Sequence, residues 1–372
     1  MEDVMKKAGA LLFSALFAIS EVLSGSAQAA PEYTLSLNLP IPPIHTRWQG
    51  PLKAWVDEVE KRSGGRLKIE PYFAEALSPR SEAFESVKSG IADITECAYE
   101  ANSGQFPFHE GILSISSPSL FLGDGTALVK GMYEQFPQVL EELDGVKLLF
   151  THACGSLSIA TTKKPVRTLE DLKGLKINAN SAMIAERLKK LGVSVVSLPL
   201  SDLYSAMEQG VIEGTTMSPE LLVSRRYGDP LKYVTEISVQ NTLFYCVINE
   251  DVYNGLPEDL RQVLDEVSGE FADRAFADYW ETADISAMRK WIADMGGKEV
   301  ILLSDADYDT ARSAILAQID EKLGAWAAAG EGLLLKTERD RYLFLFEEQY
   351  LSRFVDQKFD ILDTIHQVVN PS

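Results

Sequence analysis

The chain has 372 residues, of which 46% are hydrophobic and 24% are charged, and its formal net charge is −20. This length can bury a sizeable core in two lobes, and the composition is that of an ordinary soluble globular protein. The acidic balance argues against nucleic acid or an anionic membrane as partner, because phosphate binding requires clustered lysine and arginine. A small anionic ligand is not excluded, since one buried cationic site outweighs a diffuse surface charge.

A targeting segment is predicted at the N terminus. Two lysines precede an apolar run over residues 8–19, which is too short to span a bilayer. Residues 27–29 (AQA) have the small-x-small pattern of a cleavage site. We therefore predict a signal peptide over residues 1–30, cleaved after Ala29 or Ala30, and an exported, periplasmic protein.

Strands and helices are predicted in close succession over the first part of the chain, from alternating or helically spaced apolar residues. In order, the pattern predicts a strand at 33–39, a helix at 51–62, a strand at 66–73, a helix at 82–89 and a strand at 91–97. The segment 147–162 is typical of two strands or one long bent strand. Either arrangement would cross from one lobe to the other.

The segment 168–219 carries the most informative pattern of the chain. It predicts a helix from Thr168 with Asp171 in a capping box, a strand at 175–178, a helix opened by Ser181, a strand at 193–198, a helix from Ser201 and a strand at 211–217. Helices that alternate with β-branched strands are typical of a parallel sheet, which binds ligands outside the carboxyl ends of its strands. Asn178 and residues 215–217 lie at such ends and form a candidate binding floor.

Two segments of the chain are similar to each other, 83–94 (AFESVKSGIADI) and 203–214 (LYSAMEQGVIEG). Each predicts a helix, a terminal glycine, a short strand and an acidic residue, Asp93 or Glu213. One copy in each half is what a pair of similar α/β lobes would show.

The second half of the chain adds a strand and long helical patterns. The strand at 242–248 is predicted to be a second crossing between lobes. The helical pattern at 257–295 exceeds the usual length of a globular helix, so we predict that it lies along both lobes and bends at Gly269. Segments 305–329 and 338–368 are also helical by pattern.

A family resemblance rests on motifs that agree in order and spacing. They are S-G-G-R-L-K-I at 63–69, S-G-I-A-D-I at 89–94, K-P-V-R-T-L-E-D-L-K-G-L-K-I at 164–177, L-Y-S-A-M-E-Q-G-V-I-E-G at 203–214 and L-P-E-D-L-R-Q-V at 256–263. With these motifs the chain resembles the extracytoplasmic solute-binding proteins of TRAP transporters (tripartite ATP-independent periplasmic transporters). The resemblance covers about residues 33–300.

The resemblance implies a fold and a function. The expected fold is α/β, with two interleaved lobes, a ligand cleft between them, crossing strands and a long spanning helix. Lobe I is expected over 31–153 plus 241–282, and lobe II over 154–240 plus 283–372. The expected function is capture of a small solute by lobe closure and delivery to TRAP membrane permease subunits, by a monomer without a cofactor.

Asn178 departs from the family pattern at the position whose side chain usually indicates the class of ligand. The family usually has an arginine there, which clamps a substrate carboxylate, and a second frequent arginine would fall near Leu157. Asparagine can bond a carboxylate, hydroxyl, amide or sulfonate but cannot neutralise charge. We therefore expect an anionic or zwitterionic solute with such polar groups, and disfavour a simple dicarboxylate. The alternative is that Asn178 only caps the following helix.

Other candidate ligand-binding residues lie at predicted strand ends, helix starts and crossings. They are His45, Arg47 and Trp48 after the first strand, Glu96 and Tyr99 at the end of a strand, Ser181 at a helix start, Thr215 and Met217 where relatives have Q-E-N, and Phe244. Since neighbouring strand residues face opposite ways, only one of Phe244 and Tyr245 can face the cleft. Arg225 and Arg226 are expected on a helix surface.

Catalysis and metal binding are not expected. Cys97, Cys154 and Cys246 lie in apolar runs, which favours buried free thiols over a disulfide, and no metal-ligand spacing occurs. His152 and Cys154 form the only close histidine–cysteine pair, with no third orienting group. The alternatives to a transport receptor are a periplasmic ligand-sensing protein that feeds a receptor, and a hydrolase that uses this pair.

Overall fold

The computed structural model describes residues 30–102, 104–106, 109, 130, 133–134, 137–154, 157–179, 181–237, 239, 242–304, 306–311 and 313–314. The predicted signal peptide up to Ala29 lies outside these residues. So do the predicted helix at 338–368 and most of the one at 305–329.

The described strands form two separate sheets. In chain order they are β1 Tyr33–Asn38, β2 Leu67–Tyr72, β3 Ile94–Ala98, β4 Val146–Ala153, β5 Ser158–Thr161, β6 Lys176–Asn178, β7 Ser194–Val196, β8 Gly214–Met217, β9 Tyr233–Glu236, β10 Leu243–Asn249 and β11 Glu299–Leu302. The first sheet has the order β2-β1-β3-β10-β4 and the second β11-β9-β5-β8-β6-β7. Each sheet is the centre of one lobe, so the two-lobed α/β architecture expected from the sequence is confirmed.

Helices cover both sheets. They are α1 Lys53–Arg62, α2 Ala83–Lys88, α3 Ala182–Lys190, α4 Leu203–Glu208, α5 Leu221–Ser224, α6 Glu250–Gly255, α7 Glu258–Glu266 and α8 Ala272–Asp294. A π-helical turn precedes α1, and short 3-10 turns lie at Arg80–Glu82, Tyr99–Ala101, Pro137–Leu143 and Leu169–Leu172. No helix among the described residues is long and apolar enough to cross a membrane.

The parallel strand–helix pattern predicted for 168–219 is present. Strand β6 pairs in parallel with both β7 and β8. Thr168 and Asp171 form the predicted capping box. Ser181 caps α3 by accepting a hydrogen bond from the backbone N–H of Ile184 at 3.3 Å. These elements follow from local sequence, because each start signal lies within three residues of the group it binds.

The two similar segments adopt the same local structure in the two lobes. Each runs from a helix through a glycine in the left-handed region to a strand beside its parallel neighbour. The acid of each copy then accepts a hydrogen bond from a backbone N–H of that neighbouring strand. Asp93 accepts a hydrogen bond from the backbone N–H of Ser36 at 2.7 Å, and Glu213 accepts one from that of Lys176 at 3.1 Å. The internal similarity therefore corresponds to the same helix–glycine–strand unit in each lobe.

The chain crosses between the lobes at two segments, and described residues of one segment bond to those of the other. The first lies between β4 and β5, and the second between β9 and β10. The backbone N–H of Cys154 donates to the carbonyl of Thr242 at 3.0 Å, and that of Val239 donates to the carbonyl of Leu157 at 3.0 Å. The segment 147–162 thus contains two strands, one in each sheet.

The long helical segment is the third crossing. It bends at Gly269, whose φ of −83° and ψ of −118° separate α7 from α8, as the sequence predicts. Phe276 and Trp280 of α8 pack in the core beside the first sheet. Met288 and Trp291 pack under the second sheet, and the indole of Trp291 donates to the carbonyl of Leu231 at 3.2 Å. Helix α8 therefore lies along both lobes.

Candidate functional site

A cavity lies between the lobes, outside the carboxyl ends of β3 and β8. Its walls combine apolar and charged side chains from both lobes and from the crossings. The lining residues are Pro40, Ile41, His45, Arg47, Arg80, Ala98, Glu100, Cys154, Leu157, Leu200, Met217, Ser218, Glu220, Leu221, Arg225, Thr242, Phe244 and Trp280. Parallel strands of this fold class present ligand sites at such an edge.

Arg47 is fixed on the first-lobe side by a buried ion pair. Its Nε lies 3.2 Å from Oε1 of Glu96, and its Nη2 donates to Oε2 of the same carboxylate at 3.3 Å. The guanidinium also lies over the ring of Phe244, 4.4 Å from the centroid. Burial disfavours the charge on Glu96, but Arg47 and His152 outweigh it and keep its pKa below the ordinary value. Arg47 is thus already neutralised before any ligand binds.

His152 continues this pair deeper into the first lobe. Its Nε2 lies 3.0 Å from Oε1 of Glu96, and its Nδ1 accepts a hydrogen bond from the indole of Trp280 at 3.2 Å. The ring is stacked on Phe276 with centroids 3.9 Å apart. Burial lowers the pKa of His152 to about 4, so the ring is neutral at pH 7 and carries its proton on Nε2. Both ring nitrogens are therefore occupied by hydrogen bonds within the protein.

His45 is a neutral side chain at the edge of the cavity. Its Nδ1 accepts a hydrogen bond from the backbone N–H of Arg47 at 3.2 Å, and its Nε2 faces Oε1 of Glu220 at 3.8 Å. Burial, with Arg47 and then Arg225, lowers the pKa of His45 to about 2. Nε2 therefore carries the proton and turns it toward Glu220. His45 contributes a dipole to the site and no charge.

Glu220 joins the two lobes from the start of α5. Its Oε2 accepts a hydrogen bond from the hydroxyl of Thr46 at 3.3 Å, and its backbone N–H donates to Asp284 of α8 at 2.8 Å. Burial raises the pKa of both carboxyl groups, that of Asp284 to about 8. This edge of the cavity therefore holds acids that keep protons more tightly than usual.

Arg225 is a cation without a partner in the cavity wall. Its side chain has no hydrogen bond and no ion pair among the described residues, and the residue is half-buried. Burial lowers its pKa and Arg47 and Arg80 lower it further, whereas Tyr227 and Glu220 oppose the shift, and a guanidinium stays charged at neutral pH. The adjacent Arg226 is exposed and pairs with Asp229 at 2.9 Å. The expected helix surface is wrong for Arg225, which lines the cavity, and Arg226 is exposed but lies two residues after the end of α5.

Arg80 and Glu100 form a second polar pair in the first-lobe wall. Nη2 of Arg80 donates to Oε1 of Glu100 at 3.3 Å. The other carboxylate oxygen, Oε2, is buried and has no hydrogen-bond partner among the described residues. Burial raises the pKa of Glu100, whereas Arg80 and the hydroxyl of Thr242 oppose the shift.

Of the ten candidate ligand-binding residues predicted from the sequence, four line the cavity. They are His45, Arg47, Met217 and Phe244. Phe244 faces the cavity, whereas the hydroxyl of Tyr245 donates to the side-chain oxygen of Asn102 at 2.6 Å on the other face of β10. The alternation expected along this strand is therefore observed.

Asn178, Ser181 and Thr215 lie beside the cavity wall without lining it. Oδ1 of Asn178 accepts a hydrogen bond from the backbone N–H of Leu198 at 2.9 Å, and its side chain is fully buried. Ser181 caps α3, so Asn178 does not act as that cap. The hydroxyl of Thr215 donates to the carbonyl of Thr216 at 3.1 Å. Ligand contact by these three side chains stays a prediction.

Trp48, Glu96 and Tyr99 belong to the core of the first lobe. Trp48 packs edge-on against Phe73 with centroids 5.0 Å apart. Glu96 is held by Arg47 and His152. Tyr99 is fully buried and stacked on His109, with centroids 4.1 Å apart. Glu96 acts on the cavity through Arg47, whereas Trp48 and Tyr99 shape the lobe beneath it.

The histidine–cysteine pair considered for catalysis lacks the required geometry. Both ring nitrogens of His152 face Glu96 and Trp280. Burial raises the pKa of the Cys154 thiol well above its ordinary value, which disfavours the nucleophilic thiolate. All three cysteines are buried and none of them forms a disulfide. No cluster of metal-ligating side chains occurs in the residues that the structure describes.

Comparisons with known proteins place this site in a family context. A family model described as bacterial extracellular solute-binding protein, family 7, matches residues 41–323. A solute-binding protein of Albidiferax ferrireducens is 28% identical over 256 residues, which cover 67% of this chain and 73% of that protein.

Solved structures agree with the fold. A TRAP periplasmic solute-binding protein of Desulfovibrio salexigens has a TM-score of 0.69 and 26% identity, over 85% of this chain and 97% of that one. A protein of Bordetella bronchiseptica with bound mandelate has a TM-score of 0.68 and 24% identity, over 80% and 93% of the two chains. One of Rhodoferax ferrireducens with copurified benzoate has a TM-score of 0.73 and 22% identity, over 82% and 95%.

Proposed function

This chain belongs to family 7 of the bacterial extracellular solute-binding proteins, and from that premise we propose that its interlobe cavity binds a small monocarboxylate through Arg225. The protein is a solute receptor of the TRAP type. Its ligand is a small organic acid that the lobes enclose and that a membrane permease takes over. The observation that carries the carboxylate assignment is the unpaired guanidinium in the cavity wall.

Arg225 is the cation best suited to an incoming anion. Arg47 is neutralised by Glu96, and Arg80 is bonded to Glu100. The Arg225 side chain has neither an ion pair nor a hydrogen bond among the described residues. Burial together with Arg47 and Arg80 lowers its pKa. A carboxylate offers two oxygens to the planar fork of an arginine, and the contact is strong in a partly desolvated pocket. Arg225 therefore supplies the charge that Asn178 lacks at the position of the usual family arginine.

The apolar part of the cavity favours a compact ligand body. Phe244 and Trp280 form an aromatic wall, stacked with centroids 6.0 Å apart. Leu157, Met217 and Leu221 lie among the other lining residues. Relatives of the same fold hold benzoate and mandelate, both monocarboxylates with an aromatic ring. These features support an organic acid with a ring or short apolar body over an extended dicarboxylate.

Closure follows from the placement of these groups. Arg225 belongs to the second lobe, whereas Phe244 belongs to the first sheet. A ligand that contacts both stabilises the closed state by its differential affinity for that state. We propose the lobe boundaries as 31–153 plus 241–282 and 154–240 plus 283–372. Each sheet lies within one of these sets, and α8 connects them.

The remaining features of the proposal concern export and assembly. The N-terminal segment is proposed to be a signal peptide cleaved near Ala29 or Ala30. The mature chain is proposed to act as a monomer without a cofactor and without catalysis. The buried Cys154 thiol, whose pKa is raised, supports the last point.

The proposal is tested by calorimetric titration of the wild type, Arg225→Met and Arg226→Met with benzoate, mandelate, pyroglutamate and succinate. We expect a monocarboxylate to bind, and Arg225→Met to weaken its affinity by about 30-fold or more, since a desolvated charged contact contributes about 2–5 kcal/mol. Arg226→Met is the matched control and should bind within twofold of the wild type. Equal affinity of wild type and Arg225→Met for every ligand would remove Arg225 from the site.

A further inference from the structure

Glu100 offers a free acceptor to whatever fills the cavity. It lies in the 3-10 turn Tyr99–Ala101, directly after β3, and its side chain is 9% exposed. Arg80 occupies Oε1 at 3.3 Å. Oε2 is buried and unpartnered in the described part of the chain, although the residue lines the cavity. Buried acceptors without a partner are uncommon in folded proteins, so each one calls for an explanation.

The other cavity acid is already engaged. Glu220 receives a hydrogen bond from Thr46 on one oxygen and faces Nε2 of His45 with the other. Glu100 is thus the acid in the cavity wall that keeps one carboxylate oxygen without a hydrogen-bond partner among the described residues.

We propose that Oε2 of Glu100 accepts a hydrogen bond from a hydroxyl or ammonium group of the solute, so that the receptor selects hydroxy- or amino-substituted carboxylates over their unsubstituted analogues. This inference rests on the proposed function, because it assumes that the carboxylate of the same ligand binds Arg225. Glu100, its partner Arg80 and Arg225 all line this one cavity. The two ends of the cavity are therefore within reach of one small molecule.

The placement of the two groups links selection to closure. Glu100 belongs to the first lobe and Arg225 to the second. A hydroxy- or amino-substituted acid bonds to Arg225 in one lobe and to Glu100 in the other. An unsubstituted acid leaves Oε2 of Glu100 buried without a donor in the closed state. A site built around a hydrogen-bonding group discriminates strongly against a ligand that lacks the partner group. We expect a preference of roughly 10- to 100-fold.

The test is calorimetric titration with matched pairs of probes, mandelate against phenylacetate and lactate against propionate. The proteins are the wild type, Glu100→Met, which has no acceptor oxygen, Glu100→Gln, which retains one, and Arg225→Met. The wild type should prefer each hydroxy acid by about 10-fold or more. Glu100→Met should bring the ratio within about threefold, and Glu100→Gln should keep part of the preference.

The outcomes separate the two proposals. Arg225→Met should weaken both members of a pair alike. Equal wild-type affinity for hydroxy and unsubstituted acids would overturn the role of Glu100 and leave the carboxylate site intact. A Glu100→Met variant that weakens both acids equally would also overturn it. Failure of the wild type to bind any of the acids would overturn both proposals. If Glu100→Met does not fold, the wild-type ratio and Glu100→Gln still decide.

Discussion

The hydroxyl of Thr46 donates a hydrogen bond of 3.3 Å to Oε2 of Glu220, although the two residues are 174 positions apart in the chain. This bond joins the loop after β1 to the start of α5. The same hydroxyl lies 2.7 Å from the phenol oxygen of Tyr279 on α8. One side chain thus connects the first lobe, the second lobe and the helix that spans them.

Replacing Thr46 by valine should destabilise the protein. Valine keeps the shape of threonine but removes the donor, so a buried carboxylate loses a hydrogen bond. We expect the free energy of unfolding to fall by about 1–2 kcal/mol in urea at pH 7. Thr46→Ser keeps the hydroxyl and is the matched control. Equal stability of the valine and serine variants would show that the bond to Glu220 contributes nothing measurable.

Ionisation of Asp284 should lower the free energy of unfolding as pH rises. Its folded-state pKa is about 8, raised mainly by burial, and exceeds the ordinary value of about 3.9. The folded state therefore holds the proton more tightly than the unfolded chain. The stabilisation is complete below pH of about 4 and is lost as pH rises through about 8, with a slope of at most about 1.4 kcal/mol per pH unit.

Asp284→Asn isolates this contribution. The amide oxygen can still accept the hydrogen bond from the backbone N–H of Glu220 but does not titrate. Urea denaturation between pH 5 and 9 should give a flatter stability profile for the variant than for the wild type. Glu220 also has a raised pKa and remains in both proteins, so only the difference between the profiles is assigned to Asp284. Identical profiles would contradict the assignment.

Asn178 should affect stability more than ligand affinity. Its side-chain oxygen accepts the backbone N–H of Leu198 at 2.9 Å, in a fully buried position. Asn178→Ala leaves that donor unsatisfied and should lower the free energy of unfolding by about 1–3 kcal/mol. The affinity for mandelate should stay within threefold of the wild type. A tenfold loss of affinity with unchanged stability would instead place Asn178 in direct contact with the ligand.

The three thiols should be unreactive in the folded protein. Cys97, Cys154 and Cys246 are buried, and burial raises the pKa of each. Because the thiolate is the reactive form, iodoacetamide at pH 8 should leave the native mass unchanged. The denatured protein is the control and should gain three labels. Rapid labelling of native Cys154 would reopen the hydrolase alternative.

The local features of this fold could be predicted from sequence because their causes are local. The capping box at Thr168 and Asp171 and the cap at Ser181 each involve residues three positions apart. The bend at Gly269 likewise depends on one residue without a side chain. The two-lobed arrangement could be predicted from the family motifs.

The site itself depends on details that sequence patterns do not carry. Arg225 and Arg226 are adjacent and both follow the single-turn helix α5, so the backbone conformation after that helix, with Arg226 at a φ of 57°, decides which one faces the cavity. Glu100, which lines the cavity, follows the predicted Tyr99 by one position. Strand β3 ends at Ala98 and a 3-10 turn follows, so strand alternation does not predict which of these side chains faces the cavity. Arg80 lies in a turn with no motif. Trp280 lies within a long helical pattern, where apolar spacing alone predicts core packing.

A crystal structure of the wild-type protein with bound mandelate would show directly whether Arg225 holds the carboxylate. We expect both carboxylate oxygens within about 3.2 Å of the Arg225 guanidinium, between closed lobes, with the ring against Phe244 and Trp280. A mandelate carboxylate bound elsewhere, with Arg225 turned away from it, would rule out Arg225 as the anion-binding residue.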